Sequence, residues 1–238
     1  MSTDNSQILR TVYEQLSQAG RTDGRGAIYA FTAAHTGVGT SFTAREMALI
    51  AAQSAPQGQQ VLLVDMDISN NSQSGYFFAP DSQNHYGIPS GPYDACFAAK
   101  PFWQVTPAMV GKNGENISDS NFMSLHILEA ISLAFTAFHW ENFREGQTVQ
   151  LQNARDYWHK LRDHFSAVII DTPALDRADI LSTIAAEVDT SILVASTPTS
   201  KDSALGAAYA RITSLGGRCA GVILNDGPVP LAEYGGAS

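Results

Sequence analysis

Four short apolar runs constrain this chain more than any other feature. Val61-Leu62-Leu63-Val64 and Ala167-Val168-Ile169-Ile170 each lead into an aspartate, and Ser191-Ile192-Leu193-Val194 and Gly221-Val222-Ile223-Leu224 repeat the pattern further on. Strands this uniformly apolar are buried on both faces, as in a parallel sheet covered by helices. Helical patterns at 178–187 and 202–215 fall between the later runs. Strands alternating with helices predict an α/β fold, a doubly wound and mostly parallel sheet with helices on both faces.

A fifth run, Ala27–Thr32, precedes Ala34-His35-Thr36-Gly37-Val38-Gly39-Thr40-Ser41, and a helix is expected from Ser41 to Ser54. Glycines placed between a strand and a helix let backbone N–H groups curl around phosphate, and the helix N-terminus adds positive potential. Gly37, Val38, Gly39, Thr40 and Ser41 are therefore candidate nucleotide-binding residues. Such a loop ordinarily carries Lys and then Ser/Thr after its last glycine. Here Thr40 stands in the lysine position, no lysine occurs before Lys100, and Arg45 is one helical turn too far on to reach back. Val61–Asp67 delivers Asp65 and Asp67 to the carboxyl end of a strand, and Ala167–Pro173 delivers Asp171. Ligands bind at that end of such sheets. Asp65, Asp67 and Asp171 are the candidate catalytic carboxylates; Ser41, Asp65 and Asp171 are the expected Mg²⁺ ligands.

In this order the segments resemble the bacterial tyrosine kinases of capsule and exopolysaccharide export, within the MinD/ParA-like group of P-loop ATPases. The resemblance rests on Gln7–Thr11, the loop at 34–41, Asp65-Met66-Asp67, Ile169–Pro173 and Gly221–Asn225. It implies ADP or ATP with Mg²⁺ as ligand, and Asn225 beside the adenine. Asp4, Gln7 and Arg10 fall where the family has a subunit-contact motif of one Glu and two Arg. Ser69 replaces the Arg usual after the Asp-x-Asp segment, and the tyrosine-rich tail is reduced to Tyr234. The expectation is a degenerate member, a pseudo-enzyme that binds nucleotide weakly. It would be an accessory or regulatory subunit held to a membrane-embedded polysaccharide export or chain-length protein, with a homo-oligomer left open. Two alternatives stand beside it: an active tyrosine autokinase or ATPase, and a MinD/ParA-like positioning ATPase.

The 238 residues carry a net charge of −9 and are 44% hydrophobic. That composition fits a folded domain and disfavours nucleic acid or anionic lipid, both of which need a basic face. No run is apolar enough to insert in a membrane, so the chain is expected in the cytoplasm, peripheral to the inner membrane through its partner. Cys96 and Cys219 read as free thiols. The expected organisation is a helix and linker over 1–25, with Gly20–Gly26 mobile, and a P-loop domain over 26–238 whose middle, 70–150, diverges. Within it, Ile131, Ala134, Phe135 and Phe138 fit one helical face. His35 reads as an exposed loop residue, and His159 with His164 lacks companions for a metal site. Trp103, Trp140 and Trp158 read as anchors, and no local motif assembles a Ser/His/Asp set.

Overall fold

The computed structural model describes residues 3–18, 23–108 and 118–225. Tyr234 lies outside them, as do part of the expected linker and the side chain of Asp4. In chain order the elements are α1 (Thr3–Gln18), β1 (Ala27–Ala33), α2 (Thr40–Gln53), β2 (Val61–Asp65), α3 (Ser72–Phe78), α4 (Pro80–Tyr86), β3 (Ser90–Asp94) and β4 (Trp103–Thr106). They continue with β5 (Met123–Leu128), β6 (Leu133–Phe138), β7 (Thr148–Leu151), α5 (Arg155–His164), β8 (Ala167–Asp171), α6 (Leu181–Ile184), β9 (Thr190–Ala195), α7 (Ser203–Ser214) and β10 (Cys219–Leu224).

Eight strands form one sheet in the order β10-β9-β1-β8-β2-β6-β5-β3. From β10 through β6 neighbouring strands run parallel; β5 and β3 add antiparallel at one edge. The fold is α/β. The strand repeat of two sorts each apolar run between the sheet's faces. Tyr29, Phe31, Leu63 and Ile169 join the core under α1 and α2, where Ala44, Ala48 and Ala51 of α2 are fully buried. Ile28, Ala30, Leu62, Val64, Val168 and Ile170 join the opposite core, with Phe102, Trp103, Tyr157 and Trp158. Trp103 and Trp158 are fully buried, whereas Trp140 is 40% exposed and donates its ring N–H to the Ile68 carbonyl at 2.6 Å.

The middle region corrects one expectation. Residues 123–138 form the antiparallel pair β5–β6, not a helix, with Phe135 facing His126 across the ladder. Leu133, Ala134 and Phe135 are fully buried on successive positions, so both faces of β6 are covered. A segment apolar on both faces matches helical and strand spacing equally well, and periodicity cannot separate them. The helical pattern at 178–187 shortens to α6, Leu181–Ile184.

The described end of the expected linker is also pinned. Gly26 donates its N–H to the Arg162 carbonyl at 3.0 Å, and a Cβ on it would lie 2.0 Å from the Phe165 carbonyl oxygen. Arg25 pairs with Asp163 at 2.7 Å. Arg10 of α1 donates to Gln53 at the end of α2, a contact within the chain. No helix among the described residues is long and apolar enough to cross a membrane.

Candidate functional site

The loop between β1 and α2 lies where strands end at their carboxyl termini. Gly37 and Gly39 take φ of 85° and 89°, the left-handed region that glycine alone enters at little cost. Gly39 stands at the N-cap of α2, and no side chain caps the helix there. The first-turn N–H groups, from Thr40 and Ser41 onward, have no acceptor four residues back. A 14-residue helix thus presents its positive end into the site. Val38 is buried, and its carbonyl accepts from the Asn225 side chain at 2.9 Å. Asn225 is therefore tied to the loop itself.

Parallel pairing sets Asp65 of β2 directly beside Asp171 of β8, and both are buried. Burial and the neighbouring Asp171 charge raise the Asp65 carboxyl well above the usual range. Burial likewise pushes Asp171 up to about 6, against the pull of the Gln73 and Ser41 side chains. Sequence reasoning missed Gln73, on the first turn of α3. Its backbone N–H donates to Asp65 at 3.0 Å. Its side-chain amide donates to Asp171 at 2.7 Å and to the Ser41 carbonyl at 3.0 Å. Arg45 explains the amide's orientation: its guanidinium stacks 3.8 Å from the Tyr76 ring centroid and reaches the Gln73 side-chain oxygen at 3.4 Å.

Ser41 and Asp171 meet at this corner, and one Asp171 oxygen, Oδ1, is buried with no hydrogen-bond partner. A free carboxylate oxygen beside a hydroxyl suits a hard cation that keeps most of its waters, as Mg²⁺ does. Both Asp65 oxygens already accept backbone N–H groups, from Asp67 at 2.9 Å and from Gln73. Asp67 is buried and accepts from Ser69, Asn70 and the Arg177 guanidinium. Among the described residues no group of three or more His, Cys, Asp or Glu is disposed to hold a metal.

Three further residues were not read from the sequence in these roles. Asp176 accepts the Thr36 N–H at 3.0 Å and its hydroxyl at 2.8 Å. His35 lies 3.0 Å from Asp202 and 3.7 Å from Asp176, so this loop histidine has partners. Arg177, next to Asp176, holds Asp67 and reaches Ser69 at 3.2 Å. The motif residues marked the loop and the strand ends, but nothing in an ordinary turn sequence marks which polar side chains will close over them.

Away from this site, a Ser-His-Glu chain does assemble, from residues that no local motif unites. Ser124 Oγ lies 2.7 Å from His139 Nε2, and His139 Nδ1 lies 2.8 Å from Glu141. The same hydroxyl is 2.8 Å from His126 Nε2 and is buried within β5. A hydroxyl spent between two rings in this way is a packing link, not an exposed nucleophile.

No protein-family model and no curated protein matches the sequence. Solved structures do. The kinase domain of the Escherichia coli tyrosine kinase ETK superposes with a TM-score of 0.57 at 17% identity, over 93% of this chain and 75% of that one. The BceF tyrosine kinase domain gives 0.57 at 16%, over 93% and 77%. The VpsO kinase domain gives 0.52 at 17%, over 93% and 96%. Nearly the whole described chain, divergent middle included, therefore has the fold of bacterial tyrosine kinase domains.

Proposed function

We propose that this protein is a kinase-fold subunit that binds adenine nucleotide without efficient turnover, and that it serves an exopolysaccharide synthesis and export complex. The observation that carries the reading is the uncapped, glycine-led N-terminus of α2 with Ser41 beside the buried Asp65–Asp171 pair, while Thr40 fills the place of the phosphate lysine. The backbone N–H groups of Gly39 to Ser41 would hold the inner phosphates. Ser41 and the free oxygen of Asp171 would hold Mg²⁺, which neutralises phosphate charge when bound. Gln73, whose backbone N–H is held by Asp65, fixes the position of Asp171. Without lysine, charge growing on transferred phosphate meets no fixed cation from the loop. Losing one such preorganised donor costs roughly 10²–10³ in rate. The export role comes from the likeness to tyrosine kinase domains together with the motif order, and its partner would be a membrane-embedded export or chain-length protein.

Calorimetric titration of the full chain with Mg-ADP and Mg-ATP, beside Asp65→Ala and Thr40→Lys, tests the reading. Weak wild-type binding, weaker in Asp65→Ala and at least tenfold tighter in Thr40→Lys, is the expected result. Binding indifferent to both substitutions would move nucleotide out of this loop. Rapid phosphotransfer to tyrosine by the wild type would make the chain an active kinase instead.

A further inference from the structure

The two residues that follow the Asp171 turn hold the nucleotide site from opposite sides. Asp176 places its carboxylate on the N–H and hydroxyl of Thr36, before the loop glycines. Arg177 places its guanidinium on Asp67 and Ser69, beyond the end of β2. The backbone between them is fixed as well: Leu175 donates its N–H to Ala33 at 2.8 Å and Arg177 to Ala174 at 2.9 Å. Together they strap the phosphate loop to the Asp-x-Asp strand.

A phosphate chain held at its inner end by Gly39–Ser41 runs outward toward the strand-end carboxylates, where the outermost group meets metal and base. The strap, which joins Thr36 to Asp67, would border that outward end. Its electrostatic balance is negative. Asp67, Asp176 and Asp202 face Arg177 and His35, and Arg177 is already committed to the buried Asp67. The lysine that would offset an outer phosphate is Thr40. Hydrogen bonds from Thr36, with His35 nearby, keep Asp176 ionised by holding its carboxyl below the usual range.

We propose that Asp176 makes this a nucleoside-diphosphate site, turning away the third phosphate through its carboxylate on Thr36. The inference rests on the nucleotide reading above. The anion on the loop's outer rim leaves the inner N–H groups open, so a diphosphate loses little. A triphosphate brings an additional charge against a carboxylate that is about two-fifths exposed and partly screened, which amounts to about fivefold in affinity.

Titrations of Mg-ADP and Mg-ATP into the wild type, Asp176→Asn and Thr40→Lys distinguish the outcomes. The expected wild-type result is ADP bound at least fivefold more tightly than ATP. Asp176→Asn should bring the two within about twofold, chiefly by improving ATP. A wild type that binds both equally, or a preference unchanged in Asp176→Asn, would overturn the role of Asp176 and leave the nucleotide site standing. Failure of both the wild type and Thr40→Lys to bind any nucleotide would overturn the site and this inference with it.

Discussion

At the scale of single residues, Gln73 decides how two buried carboxylates coexist. It is fully buried, and its three donated hydrogen bonds reach Asp65, Asp171 and the Ser41 carbonyl. Gln73→Leu keeps the backbone bond to Asp65 but removes the side-chain donor to Asp171, leaving that carboxylate more poorly compensated. Removing a partner from a buried polar group costs about 1–3 kcal/mol, so urea denaturation at neutral pH should show a loss of about that size. A loss under 0.5 kcal/mol would mean that water or cation already serves Asp171. Asp65 and Asp171 were legible because an aspartate closing an apolar strand has one place to go. Gln73, Asp176 and Arg177 were not, because Asn, Gln, Asp and Arg in polar loops have many solvated fates until the fold brings them to a partner.

At the scale of elements, strands with one type of neighbour were easy to read, and the hairpin β5–β6 was not. Its residues are covered on one face by Phe77 and Phe78 of α3 and on the other by the aromatic core. That covering produced the misleading helical spacing at Ile131, Ala134, Phe135 and Phe138. It also buries His126, whose ring stacks on Phe135 at 5.5 Å and meets the edge of Phe78 at 4.9 Å. Burial lowers the His126 pKa, the charge on His139 lowers it further, and a bond to the Ser90 backbone opposes both. The folded chain therefore binds this proton less readily than the unfolded chain. The stabilisation is fully present above the ordinary histidine value of about 6.5 and is lost as pH falls below it. His126→Phe should keep the stacking and flatten the acid side of the stability curve, by at most about 1.4 kcal/mol per pH unit. Equal slopes for both proteins between pH 7.5 and 5.5 would show that His126 does not titrate differently on folding.

At the scale of the whole molecule, the parallel sheet separates two poles. The proposed nucleotide loop sits at the carboxyl ends of the strands, whereas the opposite end is tied by Arg162. This buried guanidinium holds the Gly26 carbonyl before β1, Asp189 before β9 and the Glu187 carbonyl, all from α5. Seven residues of β1 separate that knot from the phosphate loop, about 23 Å at the usual strand rise. Breaking a buried ion pair from one side costs about 3–5 kcal/mol. Asp189 is one-fifth exposed, which places Arg162→Leu toward the lower figure. At a temperature where the variant remains folded, its affinity for Mg-ADP should stay within about twofold of wild type, because contacts this far apart with no shared partner act independently. A large fall in stability with unchanged binding would show that the knot supports the fold and the loop carries the ligand. A tenfold change in affinity would instead mean that the sheet transmits the state of one pole to the other, as a nucleotide-sensing subunit with a partner at its far end would require.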